Sequence, residues 1–199
     1  MRQMQPLIII GCLLLLTLQV GCGRKTTNIN YYSLVANTPQ VETQPAQQLP
    51  ISVGIGPIRL PQLLNRPHLV TRSETYQVQH AESERWSGDL QEEITHALAD
   101  NLSRQLGTEK ITIYPWPKSF SPDWQLRVNI QRLDGELGKV AYLEARWTLS
   151  REKNDLTLTG VSHHKKEIKE TSYEALVAAE SQLLENFSQE ISEIIRTQN

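Results

Sequence analysis

The feature that most restricts the fold is a run of three segments between Trp124 and Ile168 in which apolar and polar residues alternate. Trp124, Leu126, Val128 and Ile130 take turns with Gln125, Arg127, Asn129 and Gln131, which puts one set on each face of an extended strand. Ala141, Leu143, Ala145, Trp147 and Leu149 share a face in the same way against Tyr142, Glu144, Arg146 and Thr148, and Leu156 to Ile168 supplies a third, more polar strand. Asp134-Gly135 and Asn154-Asp155 are turn-forming pairs, so the three strands are expected to form an antiparallel meander reversing at those points. Such a meander has one apolar face, and other elements must cover it.

Two segments have the period for that task. Leu90, Ile94, Ala97, Leu98, Asn101, Leu102 and Gln105 fall on one face of a helix predicted between Asp89 and Leu106, with Asp89 and Glu92 as a capping box and Gly107 as the stop. A second helix is predicted from about Tyr173 to Arg196, opened by Thr171 and Glu174 and striped by Tyr173, Leu176, Val177, Leu183, Leu184, Phe187, Ile191, Ile194 and Ile195. Upstream, the aliphatic positions 51, 53 and 55 predict a half-buried strand, and Pro57 argues against a central place for it in the sheet. His68–Arg72 and Tyr76–His80 are expected to pair as a hairpin, and Ile111–Tyr114 to form a strand ended by Pro115-Trp116-Pro117. Trp124 and Trp147 fall at inward strand positions and are expected in the core. The order of elements predicts an α+β (broadly α/β) two-layer sandwich: a mostly antiparallel mixed sheet with both amphipathic helices on one face.

The N-terminus stands apart from this domain. Arg2 precedes the apolar run from Leu7 to Leu18, the charge-then-apolar order of a signal peptide. The run meets Gln19 before it reaches the roughly 20 apolar residues a bilayer crossing needs. Leu18-Gln19-Val20-Gly21-Cys22 resembles a bacterial lipobox, in which a diacylglycerol thioether forms on the cysteine before cleavage; Gln19 departs from the aliphatic residue usual three places before it. Residues 1–21 are therefore expected to be removed and Cys22 to be acylated. With Cys12 lost in the signal, no thiol remains for a disulfide, a metal site or a nucleophile. Gly23 is not the aspartate that holds lipoproteins at the inner membrane in enteric bacteria, which points to the outer membrane on its periplasmic side. Residues 22–48 then form an anchored segment with a short strand, Tyr31–Val35, and a linker rich in Gln, Pro and Thr from Asn37 to Gln48, expected to supply reach; 49–199 form the domain.

Motifs for chemistry are missing. There is no zincin helix, no phosphate-binding Gly-Lys-Ser/Thr loop and no nucleophile elbow, and Gly54-Ile55-Gly56 lacks the third glycine of a dinucleotide site. His163 and His164, adjacent on a strand, point to opposite faces and cannot chelate together. His96 lies beside the stripe of the first helix. No cofactor and no metal are expected, and an envelope hydrolase is disfavoured. Twenty basic and 22 acidic side chains leave no basic stripe for nucleic acid. Lys165–Glu170 reads as a solvated strand end.

From Ile51 to Pro117, the strand Val53–Pro61, the segment Leu64–Arg72, Arg85-Trp86, the helical Leu98-Ala99-Asp100-Asn101-Leu102 and the closing Tyr114-Pro115-Trp116 together resemble the PqiC-type (YmbA-like) ABC-type transport auxiliary lipoproteins. Tyr31-Tyr32-Ser33-Leu34 and the last helix also fit. The resemblance implies a non-enzymatic subunit that accompanies an MCE-domain protein and membrane permease subunits in intermembrane lipid transport, tethered through its acyl (palmitate-type) anchor. Arg66 and Arg72, beside a turn-fixing proline and at a strand end, can hold carbonyls or a carboxylate through the guanidinium fork. With Trp116 on its rigid loop they are the candidate partner-binding residues, while Trp86 is expected to brace the fold. A partner with rotational symmetry would suit a homo-oligomer. The alternative is a lipid-binding carrier, which would need a long apolar cavity.

Overall fold

The computed structural model describes residues 28–35, 49–73 and 76–199. The predicted signal segment, Cys22 and the predicted linker lie outside the described residues. Among those described, eight strands form one curled, mixed sheet: β1 (Asn30–Tyr32), β2 (Val53–Arg59), β3 (His68–Arg72), β4 (Val78–Trp86), β5 (Ile111–Ile113), β6 (Trp124–Glu136), β7 (Val140–Arg151) and β8 (Leu156–Glu167). Helix α1 (Leu90–Leu106) lies between β4 and β5 in the chain, and α2 (Tyr173–Gln198) closes it.

The meander β6-β7-β8 is present and antiparallel, and supplies the longest ladders of the sheet. Its second turn falls as expected, on a 3-10 turn Glu152–Asn154 and a left-handed Asp155 at φ 51°. Its first does not. β6 runs on through Asp134 and Gly135 to Glu136, and the reversal comes at Leu137–Lys139, where Gly138 takes φ 71° and Lys139 N bonds Glu136 O at 3.1 Å. A register shift between Ile130 and Arg132 is what the alternation did not foresee: the bulge restarts the inward set at Leu133 and turns a turn-like dipeptide into strand.

β6 is the spine. One side carries β7 along its length, and the other is shared by two parallel strands, β2 beside residues 124–129 and β3 at Gly135. β2 is also paired with β5, so it is central, against the expectation from Pro57. The ladder to β6 slips between Ile55 and Ile58, and the proline sits in that interruption, where no amide is needed. β3 and β4 form the expected hairpin, with β4 continuing to Trp86.

Both helices cover the same face, α1 over β2 and β5 and α2 over β6, β7 and β8, and they pack against each other. Leu98 and Leu102 of α1, Phe187 and Ile191 of α2, and Leu126, Ile130, Leu143 and Leu149 of the sheet are sealed from solvent, as is Trp124; Trp147 is buried beside them. Trp147 donates from Nε1 to Ser162 Oγ at 3.0 Å, so its polar edge is satisfied inside the layer. At the start of α1 Asp89 accepts from Glu92 N as predicted, but the carboxylate that reaches back belongs to Glu93, which accepts from Gly88 N and Ser87 Oγ. The cap of α2 is Ser172, accepting from Ala175 N at 3.2 Å, not Thr171. On the opposite face of β6 and β7 no helix of the described residues packs, and Arg127, Asn129 and Arg146 are exposed there. No helix among the described residues is long and apolar enough to cross a membrane.

Candidate functional site

Three places hold the side chains that sequence reasoning singled out, and a fourth fixes where the anchor segment enters. The first is at the far end of β6. Arg132 and Asp134 are two apart on one strand and share its face, and β3 delivers Arg72 beside them through the pairing of Thr71 with Gly135. Arg72 donates from Nε to one oxygen of Asp134 at 2.9 Å, and Arg132 donates from Nε to the other at 2.7 Å. Asp134 is 1 % exposed, and the two guanidiniums compensate the burial of its carboxyl oxygens. Arg132 also stacks 4.0 Å over the ring of Tyr142. An open cleft of about 520 Å³ lies here, with Arg72, Arg132, Tyr76, Tyr142 and Glu144 in its walls. The reading of Arg72 as a holder of a carboxylate is what the geometry has.

Beneath this cluster α2 buries Glu180, 2 % exposed. Desolvation pushes its carboxyl well above the usual range, and the nearby charge of Asp134 adds to the shift.

Trp116 occupies the second place. Its ring lies over Gly54 on the helix-free side of β2, in edge-on contact with Tyr114 (centroids 5.5 Å apart) and Phe120 (6.3 Å). A Cβ on Gly54 would stand 2.7 Å from the indole and 2.8 Å from Pro122, so glycine is required there for the loop to close down. Gly54-Ile55-Gly56 is thus a packing seat. Trp116 remains partly exposed and Tyr114 is half exposed. A clasp anchors the loop's far end: Asp123 accepts from the backbone and hydroxyl of Ser52, both at 2.8 Å, and these bonds hold its carboxyl below the usual range.

Arg66, the third, is exposed in the β2–β3 loop, with its backbone N bonded to Leu64 O. The structure does not bring the three candidates together. Gly54, under Trp116, pairs with Gln125, and Thr71, next to Arg72, pairs with Gly135; at ~3.3 Å per residue the two sites are about 30 Å apart along β6. Trp86 is buried, its N bonded to Pro67 O at 2.7 Å, so it braces this corner.

The fourth place is the short strand expected at Tyr31–Val35, which forms at Asn30–Tyr32; its pairing partner was not anticipated. β1 adds in parallel to the edge of β4, and Glu84 receives Tyr32 Oη at 2.7 Å and Asn30 Nδ2 at 3.0 Å. That bond is the main reason the Tyr32 phenol is pushed up to about 12 and the Glu84 carboxyl is lowered. Leu34 N then donates to Glu93 of α1 and Val35 N to Ser181 of α2. The chain is therefore fixed to the domain from Asn30 onward, and only residues 23–29 separate Cys22 from it. The predicted linker, Asn37 to Gln48, lies outside the described residues. Glu84 and Glu93 each also hold a partner more than 50 residues away, Tyr32 and Leu34, and no local pattern marks that part of their role.

His163 is exposed, while His164 faces α2 and lies 3.0 Å from Glu190, the opposite directions expected of neighbours on a strand. Among the described residues no three His, Cys, Asp or Glu side chains are grouped to hold a metal.

A family model for the ABC-type transport auxiliary lipoprotein component matches residues 32–192. A solved structure of an uncharacterized protein is 18 % identical, with 84 % of this chain and 99 % of that one aligned at a TM-score of 0.69. A Xanthomonas campestris protein of the DUF330 family is 12 % identical over 85 % of this chain and 99 % of its own, at a TM-score of 0.67. At these identities the two share the fold. No curated protein matches the chain. The family match runs from Tyr32, the last residue of β1, through the rest of the sheet and into α2 as far as Ser192, and it shows that the chain belongs to the ABC-type transport auxiliary lipoprotein component family, in line with the PqiC-type (YmbA-like) resemblance of its sequence.

Proposed function

We propose that the chain is a non-enzymatic adaptor, acylated on Cys22 and anchored in the outer membrane facing the periplasm, which docks the periplasmic tunnel of an MCE-type lipid-transport system. Family membership across residues 32–192 is the observation that carries this reading. Residues 1–21 are the removed signal in this account, 22–48 the anchored segment and 49–199 the domain whose sheet edge β1 extends. Gly23 favours the outer membrane. Arg72 with its cleft, Arg66 and Trp116 are the partner contacts, at separate places on one rigid sheet, as suits a docking module gripping an extended partner.

A carrier of lipid is the second reading. It needs an apolar cavity between the helices and the sheet, and that space is filled by Leu98, Leu102, Leu126, Ile130, Leu143 and Phe187. The clefts at the surface are open and walled in part by charged groups, as at Arg72 and at Lys166–Lys169. Extraction of the purified chain with organic solvent tests the choice. An adaptor releases only its own covalent acyl chains after hydrolysis of the thioether-linked glyceride; stoichiometric free phospholipid in the extract would favour the carrier.

A further inference from the structure

The helix-free face of the sheet holds a cluster that the adaptor reading does not use. Arg59 on β2 is in register with Asn129 on β6, and Asn129 with Arg146 on β7, so two arginines flank an amide in one row across three strands, about 10 Å apart at ~4.8 Å per strand. Arg127 lies two residues from Asn129 on the same face, opposite Thr148. All three arginines are exposed. They line a shallow cleft of about 270 Å³ together with Pro57, Asn129 and Thr148, and among the described residues no carboxylate lines it. Arg127 donates from Nη2 to Gln125 at 2.6 Å, and among the described residues none of the three is paired with an acid. Three uncompensated cations on a chain of net charge −2 are a local reversal of its overall sign, and their complement is an anionic surface.

We propose that this face, centred on Arg59, Arg127 and Arg146, binds the phosphates of anionic phospholipid headgroups and lays the domain against the bilayer. The open setting favours an array of phosphates over one enclosed ion, and exposed guanidiniums gain from a charged surface what each lacks alone. The chain belongs to a lipoprotein family, and β1 enters the same sheet three strands from β6. A membrane is then always within reach, at the high effective concentration that tethering gives, whereas an acidic protein would meet the patch only at its solution concentration.

The test is residue-resolved labelling of arginines by phenylglyoxal on the full acylated chain, reconstituted in vesicles of pure phosphatidylcholine or of an equimolar mixture with phosphatidylglycerol. Arg66, exposed in the β2–β3 loop, is the internal reference. Labelling at Arg59, Arg127 and Arg146 is expected to slow about fivefold in the anionic vesicles, the effect of about 1 kcal/mol per surface arginine, to recover in high salt, and to leave Arg66 unchanged. The double variant Arg59→Gln/Arg146→Gln should abolish the protection at Arg127 while keeping the wild-type melting curve. Equal rates in both vesicle types overturn the proposal. So does the same protection from inorganic phosphate in pure phosphatidylcholine, which would make this a soluble-anion site, or protection that appears only when envelope proteins are added. A chain that fails to stay with either vesicle reports instead against the acyl anchor.

Discussion

Asp134 is the residue on which most of the local order at the β3–β6 junction depends, since two guanidiniums converge on it and little water does. Asp134→Ala leaves both arginines without their acceptor, and because each is itself partly solvated the cost falls below that of a fully buried pair, about 2 kcal/mol in urea unfolding. Glu180 is the opposite case. Its carboxyl is raised in the folded state, so the folded chain holds a proton that the unfolded chain gives up, and stability declines as pH rises from the ordinary carboxylate range toward the folded value. Glu180→Gln is therefore expected to raise the melting temperature at about pH 8 and to give no gain near pH 4; an equal gain at both would contradict the assignment. Asp123 and Glu84 are lowered, so their contribution is present above the ordinary carboxylate range and fades as pH falls through the folded values. Gly54→Ala should cost about 1–3 kcal/mol by driving a methyl into the Trp116 indole, with Trp116→Ala in the same chain restoring part of the loss. None of these sites was legible as such: Asp134 had the sequence of a turn and Glu180 interrupts an apolar stripe, and what each residue does depends on a register the sequence does not spell out.

Periodic elements were legible, and their company was not. The alternation in β6 and β7 and the stripes of α1 and α2 report which face is buried, and that local property survives into the structure. Positions along neighbouring strands are long-range facts, so the bulge after Ile130, the central place of β2 and the parallel addition of β1 all escaped. β1 has the largest consequence. Seven residues, 23–29, separate Cys22 from the docked strand, which at ~3.4 Å each gives a tether of about 24 Å at full extension. Deleting residues 24–27 should therefore weaken crosslinking of the domain to its envelope partner, whereas a deletion of equal length within 38–46 should leave it unchanged. If the second deletion has the larger effect, the anchor is not measured from β1. Tyr32→Phe removes the bond to Glu84 and should cost about 1 kcal/mol, read as loss of amide protection at Asn30–Tyr32 ahead of the rest of the sheet.

For the molecule as a whole, two helices seal one face of the sheet with side chains alone, and the other face is left polar and basic between β2 and β7. That polarity suits a module with an outside to present and nothing to enclose. The proposed contacts are spread along a rigid β6 at separations of about 30 Å, so a partner that uses both Arg72 and Trp116 must be large, while the acyl group proposed on Cys22 would hold the assembly at a bilayer. The claim that the chain joins a membrane to an MCE-type transporter is tested most directly by affinity capture from crosslinked membranes, run side by side on the wild-type chain and Cys22→Ser. The wild type is expected to sediment with the outer membrane and retrieve an MCE-domain protein, and the variant to be folded, soluble and far less effective in retrieval. Capture of no MCE-domain protein or permease under conditions that preserve such assemblies, or unchanged membrane retention of Cys22→Ser, would contradict it.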